Sequence, residues 1–154
     1  MSHQSLEIRP MTRHELSIPK LRCAVETMPA GTNSHALHPD AIVGPHDVVL
    51  DKYRYNAFLC PADSLRREFE ARSIEMLIMV GTLTNVCVET TARDGNMQGY
   101  KVIVVSDACA TKTDEEHNAA LLNLCLAFAD VYDTNSVYEM LGDEGSGNAM
   151  PAKI

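Results

Sequence analysis

Apolar positions in the middle of the chain come in unbroken blocks rather than single alternations. Met76 to Val80 (MLIMV) carries no polar residue, and Lys101 to Val105 (KVIVV) is nearly as apolar and rich in β-branched side chains. Such runs suit strands covered on both faces in a parallel sheet. Between them, Gly81 permits a sharp exit from the first strand, and Thr84 or Asn85 is placed to cap a helix over 85–98 that Gly99 ends. The pattern also predicts a short strand at Asp47–Asp51 and a helix over Ser64–Arg72, with Leu65 and Phe69 inward and Arg66 and Arg67 solvated. A helix from Thr113 to about Phe128, a strand at Ala129–Tyr132 and a helix over Asn135–Leu141 capped by Thr134 complete the series. Strand starts near 47, 76, 101 and 129 recur at the length of a right-handed βαβ unit. The chain therefore reads as an α/β protein built on an open parallel sheet with flanking helices.

Outside this series the pattern fades. Met1 to Pro45 holds five of the seven prolines and four of the six histidines without a sustained period, so it reads as loop and short helix wrapped over a scaffold. Gly142 to Ile154 reads as a flexible tail, which leaves residues 1–141 as one domain. A net charge of −8 repels phosphate backbones and anionic membrane surfaces, so nucleic acid and membrane are set aside as partners. Five cysteines with no C-x-x-C spacing argue against a disulfide framework or zinc knuckle, and fit a reducing cytoplasm. The first twenty residues lack the apolar core of a signal peptide, and no run approaches the roughly 20 apolar residues of a bilayer span.

In open parallel sheets, sites form outside the carboxyl ends of the strands. Lys52 follows the first expected strand and Cys87 follows the second, so two separate motifs converge on one sheet edge. Cys87 falls in the first helical turn, where unpaired amides and the positive end of the helix dipole favour a thiolate, making it the preferred nucleophile among the five cysteines. Local pattern alone weighs equally for a packed apolar cysteine in a nucleotide-binding sheet, although no G-x-G-x-x-G is present. His35 and His38 with Asp40 read as loop residues rather than metal ligands, and His117 as an exposed helical histidine. Glu89 and Arg93, spaced i, i+4, read as an ion pair. No cofactor is assigned.

Four blocks resemble the isochorismatase-like family of cysteine hydrolases: Gly31-Thr32, Val49 to Phe58 (VLDKYRYNAF), Gly81 to Asp94 (GTLTNVCVETTARD) and Val104 to Ala108 (VVSDA). The resemblance runs from Gly31 to about Leu141 and implies a Rossmann-like sheet with a triad of aspartate, lysine and cysteine. Carried over by position, the cysteine is Cys87 and the lysine Lys52; a cis peptide falls at Thr82–Leu83, and the oxyanion hole uses the backbone N–H groups of Leu83 and Cys87. The implied reaction is hydrolysis of C–N bonds in small amide, carbamoyl or ureido substrates through a thioester. Members that cleave the vinyl ether of isochorismate tend to lack this cysteine, and the Thr-Asn-Val-Cys-Val and Lys-Tyr-Arg-Tyr stretches look closer to ureido- and biuret-type amidohydrolases than to nicotinamidases.

Two departures qualify the expectation. The family's aspartate ends a first strand, and nothing in Met1 to Gly44 matches that stretch; Asp40, Asp47 and Asp51 do not follow an upstream strand. The chain is thus expected to lack the family's first strand and helix, which would expose an apolar strand edge and drive homo-oligomerisation. Secondly, the Leu59–Ser64 loop (LCPADS) is about two residues longer than the resemblance leads one to expect, which bears on the pocket wall. Two readings follow: a cysteine amidohydrolase that turns over once the upstream strand is restored, or a catalytically inactive remnant or interaction subunit.

Overall fold

The structure, a computed structural model, describes residues 31–33 and 36–142. The chain divides into two units at the Asp47–Val48 junction. In the first, the described residues form turns: the Ala41 amide donates to the His38 carbonyl, and Gly44 and Asp47 exchange bonds, Gly44 N–H to Asp47 Oδ2 at 2.7 Å and Asp47 N–H to the Gly44 carbonyl at 3.2 Å. His35 lies outside the described residues. The His38 ring is engaged locally, its Nδ1 accepting from the Asp40 amide at 3.3 Å.

The second unit carries the sheet. Two short 3₁₀ turns, Ala57–Leu59 and Pro61–Asp63, lead into helix α1, Ser64–Ala71. Strand β1, Met76–Thr82, is followed by a π-helical turn, Thr84–Val88, which runs into α2, Glu89–Met97. Strand β2, Lys101–Ala110, α3, Asp114–Ala127, β3, Asp130–Tyr132, and α4, Thr134–Gly142, follow in order. The three strands pair in parallel in the order β1-β2-β3. This is the expected α/β architecture. The segment from residue 142 onward lies, apart from Gly142, outside the described residues.

Alternate positions on the strands face two layers. Leu77, Val102 and Val104 pack with Phe58, Ala92 and Leu124 on one side, against α2 and α3. Ile103, Val105 and Tyr132 pack with Val137 of α4 on the other. Helix α2 approaches β1 closely: a Cβ at Gly95 would stand 2.9 Å from Leu77 Cδ1 and 3.4 Å from Phe58 Cε2. Across the end of this layer Phe58, Phe69 and Tyr100 form a ring cluster, with centroids 5.5 to 6.0 Å apart. Aromatic groups at this spacing gain both buried area and favourable ring contacts. Arg93 pairs with Glu89 at 2.6 Å and also lies 4.3 Å from the Phe128 ring centroid, joining α2 to the end of α3.

Three expectations are corrected. Asp47–Asp51 forms no strand; an extended propensity becomes a strand only where a neighbour satisfies its backbone, and neither sheet edge pairs with this segment among the described residues. The second strand runs five residues beyond Val105, because β2 bulges: Met79 pairs with Val104, yet Gly81 pairs with Cys109. The bulge turns Asp107 toward the start of α4, where its carboxylate accepts from the Thr134 amide and hydroxyl at 2.9 and 2.7 Å. Finally, α4 is capped by Asp133 rather than Thr134, with the Ser136 amide donating to Asp133 Oδ1 at 2.7 Å.

Candidate active site

The carboxyl end of β1 is where the sequence-derived candidates meet. Gly81 adopts φ +108°, a conformation open to glycine at little cost, and the Thr82–Leu83 peptide is cis, at the position the resemblance implied. The chain then enters the π turn. The Leu83 carbonyl accepts from both Val86 and Val88 amides, at 3.1 and 3.2 Å, so the turn closes tightly around Cys87.

Neither residue expected to cap this helix does so. Leu83 takes the cap position without a side-chain bond. The Thr84 hydroxyl instead meets His117 Nδ1 at 2.9 Å, and Asn85 Oδ1 accepts from the Thr111 hydroxyl at 2.7 Å. Thr111 lies in the connection from β2 into α3 and His117 in the first turn of α3, which parallel topology brings to the same sheet edge. His117 is therefore not a free surface histidine; its partner Thr84 is fully buried.

Lys52 reaches this turn from an irregular segment, its Nζ donating to Cys87 Sγ at 3.6 Å and to the Arg54 carbonyl at 2.9 Å. What holds the segment is the loop after it. Asn56 Nδ2 donates to Asp94 Oδ2 at 2.5 Å, the Ala57 amide donates to Thr91 Oγ1 at 3.1 Å, and Phe58 is buried in the ring cluster. Thr91 in turn donates to the Cys87 carbonyl at 2.7 Å, so the Lys52 loop and the Cys87 turn share one support on α2. Tyr53 and Tyr55, which follow Lys52 in the chain, stand about half exposed, at 50% and 44%.

Cys87 is half-buried, as is Cys125, but it is the one touched by an ammonium among the described cysteines, whereas Cys60 and Cys109 are buried. Burial pushes the Cys60 thiol up, opposed by the positive charge of Lys52. Burial likewise raises Cys109, opposed by its bond with the Gly81 backbone, with the Asp107 charge acting in the same direction as burial. Protonated, buried thiols of this kind are inert. Cys23 lies outside the described residues. Among the described residues no group of three or more His, Cys, Asp or Glu is placed to hold a metal ion, and no helix is long and apolar enough to cross a membrane. A shallow cavity of about 390 Å³, lined by Met76, Lys101, Cys125 and Asp130, opens at the amino ends of β1 and β2, the far end of the sheet from Cys87.

For one of the supporting residues a signal was present in the sequence. His117 occupies the first turn of a helix starting just past β2, and in a parallel sheet that turn shares an edge with Cys87. Asn56 and Asp94 gave no such signal, since their meeting depends on how the irregular loop lies across α2.

Comparison with known proteins bears on this arrangement. The Isochorismatase domain family matches residues 4–136. A ureidoacrylate amidohydrolase from Methylobacterium radiotolerans is 34% identical over 142 residues, covering 91% of this chain and 52% of its own length. Nicotinamidase 3 from Arabidopsis thaliana is 35% identical over 100 residues, covering 65% of this chain and 49% of its own. The crystal structure of an isochorismatase-like hydrolase from Alkaliphilus metalliredigens superposes with a TM-score of 0.67 at 29% identity, over 72% of this chain and 60% of that one. The chain spans about half the length of these curated relatives. With the family matched across most of its length, the chain belongs to the isochorismatase family.

Proposed function

We propose that this protein is a cysteine-dependent hydrolase of C–N bonds in small amide, carbamoyl or ureido substrates. The observation that carries this reading is the contact of Lys52 Nζ with Cys87 Sγ at 3.6 Å. An ammonium beside the sulfur stabilises the anion that must form for attack. Cys87 Sγ adds to the substrate carbonyl carbon, and the negative charge that develops on its oxygen is received by the backbone N–H groups of Leu83 and Cys87. Each such donor is typically worth about 3 kcal/mol in the transition state. Collapse of the adduct expels ammonia or an amine and leaves a thioester, which water hydrolyses to regenerate the thiol. In this reading selectivity comes from the loop after Lys52, where Tyr53 and Tyr55 are half exposed. Relatives named as ureidoacrylate amidohydrolases and a nicotinamidase support an amide-type substrate.

The proton leaving the thiol requires an acceptor, which the family resemblance assigns to an aspartate ending an upstream strand. The test is therefore ammonia release from ureidoacrylate, nicotinamide and simple carbamoyl compounds, by the chain alone and by the chain joined to a strand ending in aspartate. Turnover in either form that disappears in Cys87→Ala supports the reading; undiminished turnover in that variant contradicts it.

A second reading, a non-catalytic subunit that pairs with another chain, is favoured by the open side of β1. Met76, Ile78 and Val80 occupy alternate positions on one face and are 42%, 39% and 58% exposed. Among the described residues, no strand pairs with the outer edge of β1. The same edge supports a homo-oligomer in the hydrolase reading, with a second copy covering it. Four thiols free of disulfides among the described residues support a reducing cytoplasm as its location.

A further inference from the structure

We propose that His117 is a positioning residue for Cys87, acting through Thr84. The inference rests on the reading of Cys87 as the nucleophile and adds a residue that the motif around Cys87 does not contain.

Thr84 opens the π turn, three positions before Cys87, and its side chain is fully buried. A buried hydroxyl without a partner is strongly disfavoured, so the position of Thr84 is fixed by whatever satisfies it. That partner is His117 Nδ1, at 2.9 Å. His117 is itself well anchored. Thr113 caps α3, accepting from the Glu116 amide at 3.2 Å, and the His117 amide donates to the Thr113 carbonyl at 3.1 Å. Helix α3 is seated on the sheet by Ala120 and Leu124, which are 2% and 0% exposed. The imidazole thus projects from a fixed platform onto the first residue of the turn.

The turn has few other means of holding its start. Leu83 supplies no side-chain cap, and its carbonyl is spent on the Val86 and Val88 amides. Besides these bonds, Asn85 is held by Thr111 at 2.7 Å, from the same β2–α3 connection. Two consecutive residues, Thr84 and Asn85, are therefore tied to α3 and its approach, while the far end of the turn is tied to the Lys52 loop through Thr91. Cys87 lies between these supports. Loss of the His117 contact lets the start of the turn move, and displaces Sγ and the Leu83 and Cys87 amides relative to Lys52. Misplacement of a reacting group by about 1 Å can cost about 100-fold in rate.

The experiment measures alkylation of Cys87 by iodoacetamide at neutral pH, resolved by peptide mass spectrometry, in the full chain and in His117→Ala, His117→Asn, Thr84→Val and Thr84→Ser. Asparagine places an amide group near the position of Nδ1, and serine keeps the hydroxyl. We expect His117→Ala and Thr84→Val each to slow alkylation of Cys87 by about threefold to tenfold, because Lys52 no longer stabilises the sulfur anion as well. The double variant should be no slower than the single ones, as for two groups acting through one contact. The Asn and Ser variants should return to within about twofold of the parent. Cys125 serves as the internal reference and should not change. Unaltered Cys87 alkylation in folded His117→Ala and Thr84→Val, or a fully additive loss in the double variant, overturns the proposal. Loss of folding in Thr84→Val leaves the decision to His117→Ala against His117→Asn: equal rates in that pair overturn it. This readout is independent of turnover, so undiminished ammonia release in Cys87→Ala would remove the nucleophile reading without deciding the role of His117.

Discussion

Asn56 and Asp94 meet at 2.5 Å, and this contact stands behind the position of Lys52. Asn56 also accepts from the Phe58 amide at 2.9 Å, so one side chain both closes the 3₁₀ turn and moors it to α2. Lys52 lies four residues upstream on a segment with no strand pairing of its own. Asn56→Ala removes a hydrogen bond to a carboxylate and should cost about 2 kcal/mol of stability, read as a lower denaturant midpoint. Alkylation of Cys87 should slow in the same variant. An unchanged midpoint and rate would show that the ring cluster alone holds the loop.

Gly95 carries a second requirement on the same layer. Alanine gains about 1 kcal/mol of helix propensity over glycine, yet its methyl would meet Leu77 and Phe58, both buried and unable to swing away. Overpacking of this kind typically costs about 1–3 kcal/mol. Gly95→Ala is expected to lower the urea midpoint, and a raised midpoint would mean that α2 lifts from the sheet without penalty.

The cap of α4 gives a pH dependence. The Ser136 amide holds the Asp133 carboxyl below its usual value, with the Ser136 hydroxyl adding to the effect. A depressed carboxyl contributes stability above the unfolded-state value of 3.8 and loses it as pH falls through the lower folded-state value. Melting temperatures of the parent and Asp133→Ala should therefore differ at neutral pH and converge in acid. A constant gap across that range would remove the carboxylate as the source.

Exposure of Met76, Ile78 and Val80 on β1, whose outer edge pairs with no strand among the described residues, predicts self-association. Light scattering should report a mass above that of a single chain, falling toward it on dilution or in Ile78→Lys. A sharp monomer peak independent of concentration would exclude pairing through this edge.

Much of this architecture was legible in the sequence, for identifiable reasons. The runs at Met76 and Lys101 announced parallel strands; β2 is buried on both faces over Val102–Val105 as expected, whereas β1 is not, since Met76, Ile78 and Val80 stand exposed on one face. Thr113 followed by three acidic residues fixed the start of α3. What pattern could not carry was anything decided by a distant partner. Asp47–Asp51 had strand propensity without a ladder, and the β2 bulge followed from register rather than composition. Thr84 and Asn85 have good capping side chains, but tertiary partners claimed both. Lys52 and Cys87 converged as expected even though Lys52 does not end a strand. Their approach comes from the Asn56 and Thr91 contacts and the packing of Phe58.

The most direct measurement of the central claim is mass spectrometry of the protein quenched in acid while it hydrolyses a ureido or amide substrate. The account predicts an acyl adduct on the peptide carrying Cys87, absent from Cys87→Ala, which also releases no ammonia. Turnover without any adduct on Cys87, persisting at the parent rate in Cys87→Ala, would contradict it.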